Sequence, residues 1–411
     1  MNKYIHILLA IITLGSALCS CDSTQEPDPV KPNRPEPEKV GRTVLVYQVA
    51  NNNGLAGNSV SDLSEMQKAV DEGQIPADGR VLVYCRRTGM EQTLFELTKA
   101  GNDTLAVYSD KLSSVAPERM LEVLADVQKF APSDSYGLIL WGHGSGWLQD
   151  GVETATSKRR SYGGDDGQWM NVTTLAKTLA KGPALDYIYF DCCFMAGVEV
   201  AYELSSVAPY IAFSAMEIAA EGMPYDRTLG SFFNAGAEAV TVPAETTVDY
   251  YREWQTIGVR PEFSIPQFAG RYCTMSVVDC SKIDAVAQAT RSIYALAPAS
   301  RPSDMSPLDY GRNKYKGYYF DFGKYVHDLC LDSQGRERFD GATASLANFD
   351  QTLADALIYN GYMEEVFAGA RPIDSCSGLT TYIMSTPSSA STVNYNTLSW
   401  YSDIASELFV R

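Results

Sequence analysis

The chain has 411 residues, 45% of them apolar and 20% charged, which excludes both a disordered polymer and a collagen-like repeat. At roughly 150 residues per domain, this length predicts two domains, or one large domain with an appendage. Its 33 Lys and Arg face 50 Asp and Glu, for a formal net charge of −17, which argues against nucleic acid and anionic membrane surfaces as partners.

The chain opens with Lys3 followed by an apolar run from Ile7 to Leu18, the length of a signal-peptide core and too short to span a bilayer. The run ends in Leu18-Cys19-Ser20-Cys21, which resembles a bacterial lipobox. Small Ser20 precedes Cys21, whereas bulky Leu18 precedes Cys19, so Cys21 is the expected lipidation site. A simple secretory peptide cut nearby is the alternative. From Asp22 to Arg42 five prolines (Pro27, Pro29, Pro32, Pro35 and Pro37) stand among charges of both signs, the composition of an extended tether.

Beyond the tether, strand-length apolar runs occur at Thr43–Val49, Arg80–Cys85, Tyr136–Trp141, Tyr187–Phe190 and Tyr210–Ser214. Helical periodicity fills the gaps at Ser61–Glu72, Pro117–Phe130, Val172–Ala180 and Met195–Ser206. Near-continuous apolar strands alternating with helices predict an α/β fold with a mainly parallel sheet flanked by helices. From residue 271 on, helices are expected at Ile283–Leu296, Phe322–Leu331 and Ala342–Tyr359, then a strand at Leu379–Met384. Residues 43–270 thus read as the main domain and 271–411 as a mostly helical C-terminal subdomain. The tyrosine-rich stretch Asp309–Tyr319 reads first as a packed loop; it could also border a site.

Sites in such sheets gather at the carboxyl edge, and two strand ends carry reactive residues. Leu138-Ile139-Leu140-Trp141 runs into Gly142-His143-Gly144, whose glycines permit a tight turn and close backbone approach. Tyr187-Ile188-Tyr189-Phe190 runs into Asp191-Cys192-Cys193-Phe194-Met195 and then a predicted helix. A helix N-terminus close behind a cysteine favours the thiolate. A Cys-His dyad needs its two members on neighbouring strand ends, and this order of elements allows it. The bland readings are a satisfied histidine and a small apolar cysteine. Of the three histidines, His6 lies in the leader and His327 in an amphipathic helix, where a structural role is expected.

Other chemistries are poorly served. Cys192 and Cys193 are adjacent, there is no Cys-x-x-Cys, and two histidines past the leader make no zinc site of familiar spacing. Gly163-Gly164-Asp165-Asp166-Gly167 could bind calcium but reads first as a turn. No resident metal or cofactor is expected.

Gly142-His143-Gly144, then Phe190-Asp191-Cys192-Cys193-Phe194-Met195 and Val198-Glu199-Val200-Ala201-Tyr202-Glu203-Leu204, resembles the clostripain family of cysteine endopeptidases. Its nucleophile motif reads Asp-Ala-Cys-Leu-Met, which aligns Cys193 with the nucleophile and Cys192 with the alanine. Val46-Tyr47-Gln48-Val49-Ala50-Asn51-Asn52-Asn53 looks like the family's first strand and Asn/Asp-rich loop, and Ser377–Ile383 like a C-terminal strand. The resemblance implies a caspase-like fold, related to gingipains and separases, and cleavage after Arg or Lys. It gives Cys193 the attack, His143 the proton transfer, and the backbone N–H groups of Gly144 and Cys193 the oxyanion. A basic substrate needs a carboxylate at the base of the pocket, and Asp191 matches a family acidic position beside the nucleophile. Where relatives often carry an acidic segment ending in Gly-Trp this chain has Ser214–Asp226, whose Glu217 and Glu221 read equally as a second carboxylate or as solvated loop charges. The resemblance also implies activation by a cut between the two strand ends, where Lys158-Arg159-Arg160 offers basic residues.

The expected protein is therefore an exported, lipid-anchored, monomeric cysteine endopeptidase with basic protein or peptide substrates and no nucleic-acid partner. The alternative is a non-catalytic surface lipoprotein that uses the same fold as a binding module.

Overall fold

Eight consecutive residues, Thr43 to Ala50, are buried without a break, so the first strand is covered on both faces, as its continuous apolar run requires. The computed structural model describes residues 34–52, 54–148, 152–154, 157–159, 161–257, 273–298, 302–311, 315–363, 365–366, 371–372 and 376–410. The leader, Cys21, most of the tether and Arg160 lie outside the described residues.

The chain runs β1 (Val40–Ala50), α1 (Ala56–Asp71), β2 (Gly79–Arg87), β3 (Gln92–Thr98), β4 (Gly101–Tyr108) and α2 (Pro117–Phe130). It continues through β5 (Ser133–Trp141), β6 (His143–Gly144), β7 (Val152–Thr154), β8 (Ser157–Arg159), β9 (Tyr162–Asp165), β10 (Gln168–Met170) and α3 (Val172–Leu179). Then follow β11 (Leu185–Asp191), α4 (Val198–Leu204), β12 (Tyr210–Phe213), α5 (Tyr225–Thr228), α6 (Glu238–Ile257) and β13 (Thr274–Asp279). The last named elements are α7 (Ile283–Tyr294), β14 (Phe320–Asp321), α8 (Phe322–Cys330), α9 (Ala342–Ala356) and β15 (Leu357–Tyr362).

Nine strands form one sheet in the order β15-β13-β12-β11-β5-β1-β2-β3-β4. The five central pairings partners, β12, β11, β5, β1 and β2, are mutually parallel, and antiparallel strands close both sides. This is the expected α/β architecture. The sequence-predicted helix at Pro117–Phe130 is matched residue for residue, with Pro117 in the first turn, where its missing N–H costs nothing.

Three differences have local causes. The β3–β4 hairpin escapes the apolar pattern because its strands mix Thr, Glu, Asp and Asn with the buried Leu94, Phe95 and Leu105. The helix expected through Tyr359 stops at Ala356, and Leu357–Tyr362 turns into β15 to pair with β13. The C-terminal strand is shorter than expected, with only Thr380 and Thr381 paired to β14. Among the described residues of 271–411, helices α7, α8 and α9 alternate with strands, and β13 and β15 extend the same sheet that carries the strand ends of interest. Among the described residues no helix is long and apolar enough to cross a membrane.

Candidate active site

Strands β5 and β11 are neighbours in register, with Leu140 beside Phe190 and Trp141 beside Asp191. His143 lies two residues past Trp141 and Cys193 two past Asp191, so the register alone brings both to the same height at the carboxyl edge. The order of strands reverses between β1 and β5, the place where open α/β sheets leave a crevice. His143, Cys193, Asp191, Trp141 and Gly142 line one cleft, closed on its other side by Leu55, Ile218, Ala219, Ala220 and Gly222.

The two loops are in direct contact. A Cβ on Gly144 would stand 2.4 Å from the Cys193 carbonyl oxygen and 2.9 Å from the Cys192 Cβ, so only glycine fits beside the histidine. The Ser145 N–H donates to the Ser161 carbonyl at 2.9 Å, and antiparallel alternation then turns the Gly144 N–H away from β9. The His143 ring lies nearly parallel to Trp169 with centroids 6.0 Å apart, and a Cβ on Gly164 would meet its Cδ2 at 3.2 Å. On the nucleophile side, the Ile218 N–H points at the Cys193 sulfur at 3.5 Å. Cys193 and His143 are half-buried and reachable from the cleft; Cys192 is fully buried, its thiol donating to the Leu140 carbonyl at 3.2 Å. Burial pushes the Cys192 thiol far above its ordinary range.

The sequence profile of the clostripain family matches residues 46–410. The chain belongs to the clostripain family. It is accordingly a cysteine-type peptidase. A secreted C11 cysteine protease from Bacteroides thetaiotaomicron, solved with an irreversible peptide inhibitor, is 26% identical and superposes with a TM-score of 0.71 over 89% of this chain and 99% of its own. An inactive zymogen C11 protease from Parabacteroides distasonis is also 26% identical, with a TM-score of 0.72 over 90% of this chain and 99% of its own. No curated protein matches the chain.

The structure of this clostripain relative separates the predicted site residues. His143, Gly144, Asp191 and Cys193 come together. Glu217 and Glu221 bracket the segment that closes the cleft, but its lining comes from Ile218, Ala219, Ala220 and Gly222, and the Glu221 side chain is exposed. Asp191 is buried and accepts from the Met223 N–H at 3.1 Å and the Tyr225 hydroxyl at 3.2 Å. Burial raises its pKa to about 6, against those two donors.

Two carboxyls that the sequence does not single out stand behind it. Asp62, on α1 and 1% exposed, accepts from the Trp141 indole N–H at 2.7 Å. Burial, with Asp191 as the next contributor, raises it to about 9. Glu65, one turn further along α1, accepts from the Tyr225 N–H at 3.0 Å and is raised by burial to about 7.

The helix expected from Met195 begins only at Val198. Residues 194 and 196 instead hydrogen-bond outward: the Phe194 N–H donates to the Met216 carbonyl and the Ala196 N–H to that of Ser214. Cys193 therefore sits in a loop ahead of the helix, and the helix dipole does not act on it at close range. The calcium reading of Gly163–Gly167 also meets an obstacle. The Asp165 carboxylate is filled by Ser113, Ser114 and Asn51 donors with Arg86 alongside, a set that suits an anchor for the loop rather than a cation ligand. Among the described residues no group of three or more His, Cys, Asp or Glu could hold a metal ion. Lys158 and Arg159 lie in β8, paired with β7, and Arg160 is outside the described residues.

Proposed function

We propose that this protein is an endopeptidase in which Cys193 attacks the scissile carbonyl and His143 protonates the leaving amine, cleaving after Arg or Lys. The observation that carries this reading is the cleft itself, which gathers one histidine, one reachable thiol and one buried carboxyl at the ends of two adjacent strands. The thiol must lose its proton to attack, and the imidazole beside it is the available acceptor. As the tetrahedral intermediate forms, the amide of Gly144, turned away from β9, and that of Cys193 stabilise the oxyanion; such a donor is worth roughly 3–4 kcal/mol. Collapse of the intermediate expels the amine, which takes its proton from His143. Water then hydrolyses the acyl-enzyme with the same histidine as base.

A guanidinium or ammonium group in the pocket needs a carboxylate to pair with. Asp191 lines the cleft, half-buried Glu65 lies behind it, and buried Asp62, raised to about 9, holds its proton, so Asp191 and Glu65 are the carboxyls whose charge is open to the pocket. The Asp191 carboxyl, with Glu65 behind it, supports a basic side chain before the cut more directly than Glu217 or Glu221 does. The leader and Pro-rich tether support export with lipidation at Cys21, which places the peptidase on the outer side of a bacterial membrane.

The test uses the chain from residue 22 on, presented with peptides ending in Arg, Lys or a neutral residue before a fluorogenic leaving group. Arg and Lys peptides are expected to turn over, Cys193→Ala to abolish turnover and Cys192→Ala to retain it. A protein nicked within residues 149–160, and which still cleaves none of the three peptides, would be the binding module of the alternative reading.

A further inference from the structure

Three residues from distant parts of the chain meet behind the cleft. Tyr319, just ahead of β14, is fully buried. Its hydroxyl donates to the Ser145 carbonyl at 2.6 Å, two residues past His143. Its ring stacks on Phe194, the residue after Cys193, with centroids 4.2 Å apart and planes 15° from parallel. Phe194 has φ of +60°, a left-handed conformation that a bulky side chain does not adopt unless its surroundings impose it. Gly146, with φ of +58°, closes the contact, since a Cβ there would lie 2.3 Å from the Phe194 carbonyl oxygen and 3.4 Å from the Tyr319 ring. The preceding Tyr318 carbonyl accepts from the Trp147 indole at 3.3 Å, so consecutive residues of one segment grip the histidine loop at two points.

We propose that Tyr319 is a positioning residue for peptide hydrolysis, its hydroxyl fixing the loop that carries His143 while its ring holds Phe194, and through it Cys193, in the left-handed turn. The inference rests on the dyad reading above. Its consequence is that the spacing between nucleophile and base is set from the C-terminal part of the chain, which supplies neither. Loss of the hydroxyl frees the histidine loop alone; loss of the ring also lets Phe194 relax toward an ordinary backbone conformation. Small displacements of this kind matter, because a misplacement of about 1 Å at a reacting pair lowers rate about a hundredfold.

The experiment compares Tyr319→Phe and Tyr319→Leu with the parent enzyme, each nicked within residues 149–160 and counted by active-site titration with an irreversible peptide inhibitor. Tyr319→Phe preserves the ring and is expected to melt with the parent, keep KM, and lose about tenfold in kcat. The pH midpoint for alkylation of Cys193 by iodoacetamide should shift in the same variant, because the imidazole partner has moved. Tyr319→Leu should lose about a hundredfold in kcat per titrated site. Unchanged kcat and an unchanged alkylation midpoint in Tyr319→Phe overturn the proposal. So does a Tyr319→Leu enzyme whose whole deficit is in melting temperature, with normal turnover per titrated site. Failure of the dyad itself would be seen separately, as turnover surviving in Cys193→Ala or His143→Ala.

Discussion

Gly144 and Cys193 touch through their backbones: a Cβ on Gly144 would stand 2.4 Å from the Cys193 carbonyl oxygen. That contact fixes the amide beside the histidine relative to the thiol, and it leaves no room for any other residue. Gly144→Ala must push the two loops apart by several tenths of an ångström or more. We expect kcat/KM to fall by about a hundredfold or more, with the Cys193 thiol still open to alkylation. An active Gly144→Ala enzyme with a parent-like kcat would mean that the two loops are free to move without consequence.

Asp62 gives a prediction about stability rather than rate. Its carboxyl is raised by burial from 3.8 to about 9, so the folded protein holds the proton more tightly than the unfolded chain does. Between those values the unfolded state has released a proton that the folded state keeps, and stability therefore falls as pH rises. The contribution is complete below pH 4 or so and is lost as pH climbs through the folded value. Asp62→Asn keeps an acceptor for the Trp141 indole but cannot ionise. Its melting temperature should exceed the parent's at pH 8 by roughly 2 °C or more and converge with it at low pH. Parallel melting curves across pH 4–9 would show that Asp62 does not titrate in this way.

Why Asp62 was not legible while His143 and Cys193 were is a matter of what periodicity encodes. Strands buried on both faces write themselves as unbroken apolar runs, so an abrupt stop at Gly142-His143 or Asp191-Cys192-Cys193 is conspicuous. The sheet register then needs no more than adjacency of β5 and β11 to bring both together. Asp62 belongs to a helix whose pattern predicts only an amphipathic surface, and nothing local says that this acid faces an indole from another strand. Trp169 and Tyr319 are hidden for a different reason. Their roles depend on contacts across 26 residues to His143 and across 174 to Ser145, which no local pattern records. The late start of α4 was also beyond reach, because it follows from Phe194 and Ala196 bonding to the loop after β12.

Asp191 separates pocket from scaffold. Its carboxyl lines the cleft and also accepts from Met223 and Tyr225. Removing one member of a buried charge pair costs about 3–5 kcal/mol, so Asp191→Asn should reduce kcat/KM for Arg and Lys peptides by a hundredfold or more. Neutral peptides should lose far less. In the parent, the ratio of basic to neutral kcat/KM should climb as pH rises through about 6, because only the ionised carboxyl pairs with the cation. That rise should vanish in Asp191→Asn. Equal losses for all peptides would make Asp191 a support for the Met223–Tyr225 turn and nothing more.

The last prediction concerns maturation, and the structure narrows where the cut falls. Lys158 and Arg159 belong to β8, which among the described residues pairs only with the short β7, whereas Ser161 is fully buried. The Ser161 hydroxyl donates to the Leu148 carbonyl at 3.0 Å, and its own carbonyl accepts from Ser145. Cleavage after Arg160 would require pulling Ser161 and its neighbour Tyr162 out of the core beside the histidine loop. Cleavage after Lys158 or Arg159 requires only that a three-residue strand come away from its partner. If the enzyme cuts itself, mass spectrometry of the matured protein should find new N-termini at Arg159 or Arg160 and little at Ser161. β9 should stay in place after the cut, because Tyr162 donates to the Tyr47 carbonyl and Asp165 remains held by Ser113 and Ser114. Cys193→Ala should persist as one chain under the same conditions. Equal nicking of Cys193→Ala without added protease would show that another peptidase makes the cut, and a dominant Ser161 terminus would show that the 161–165 segment opens before it is cleaved.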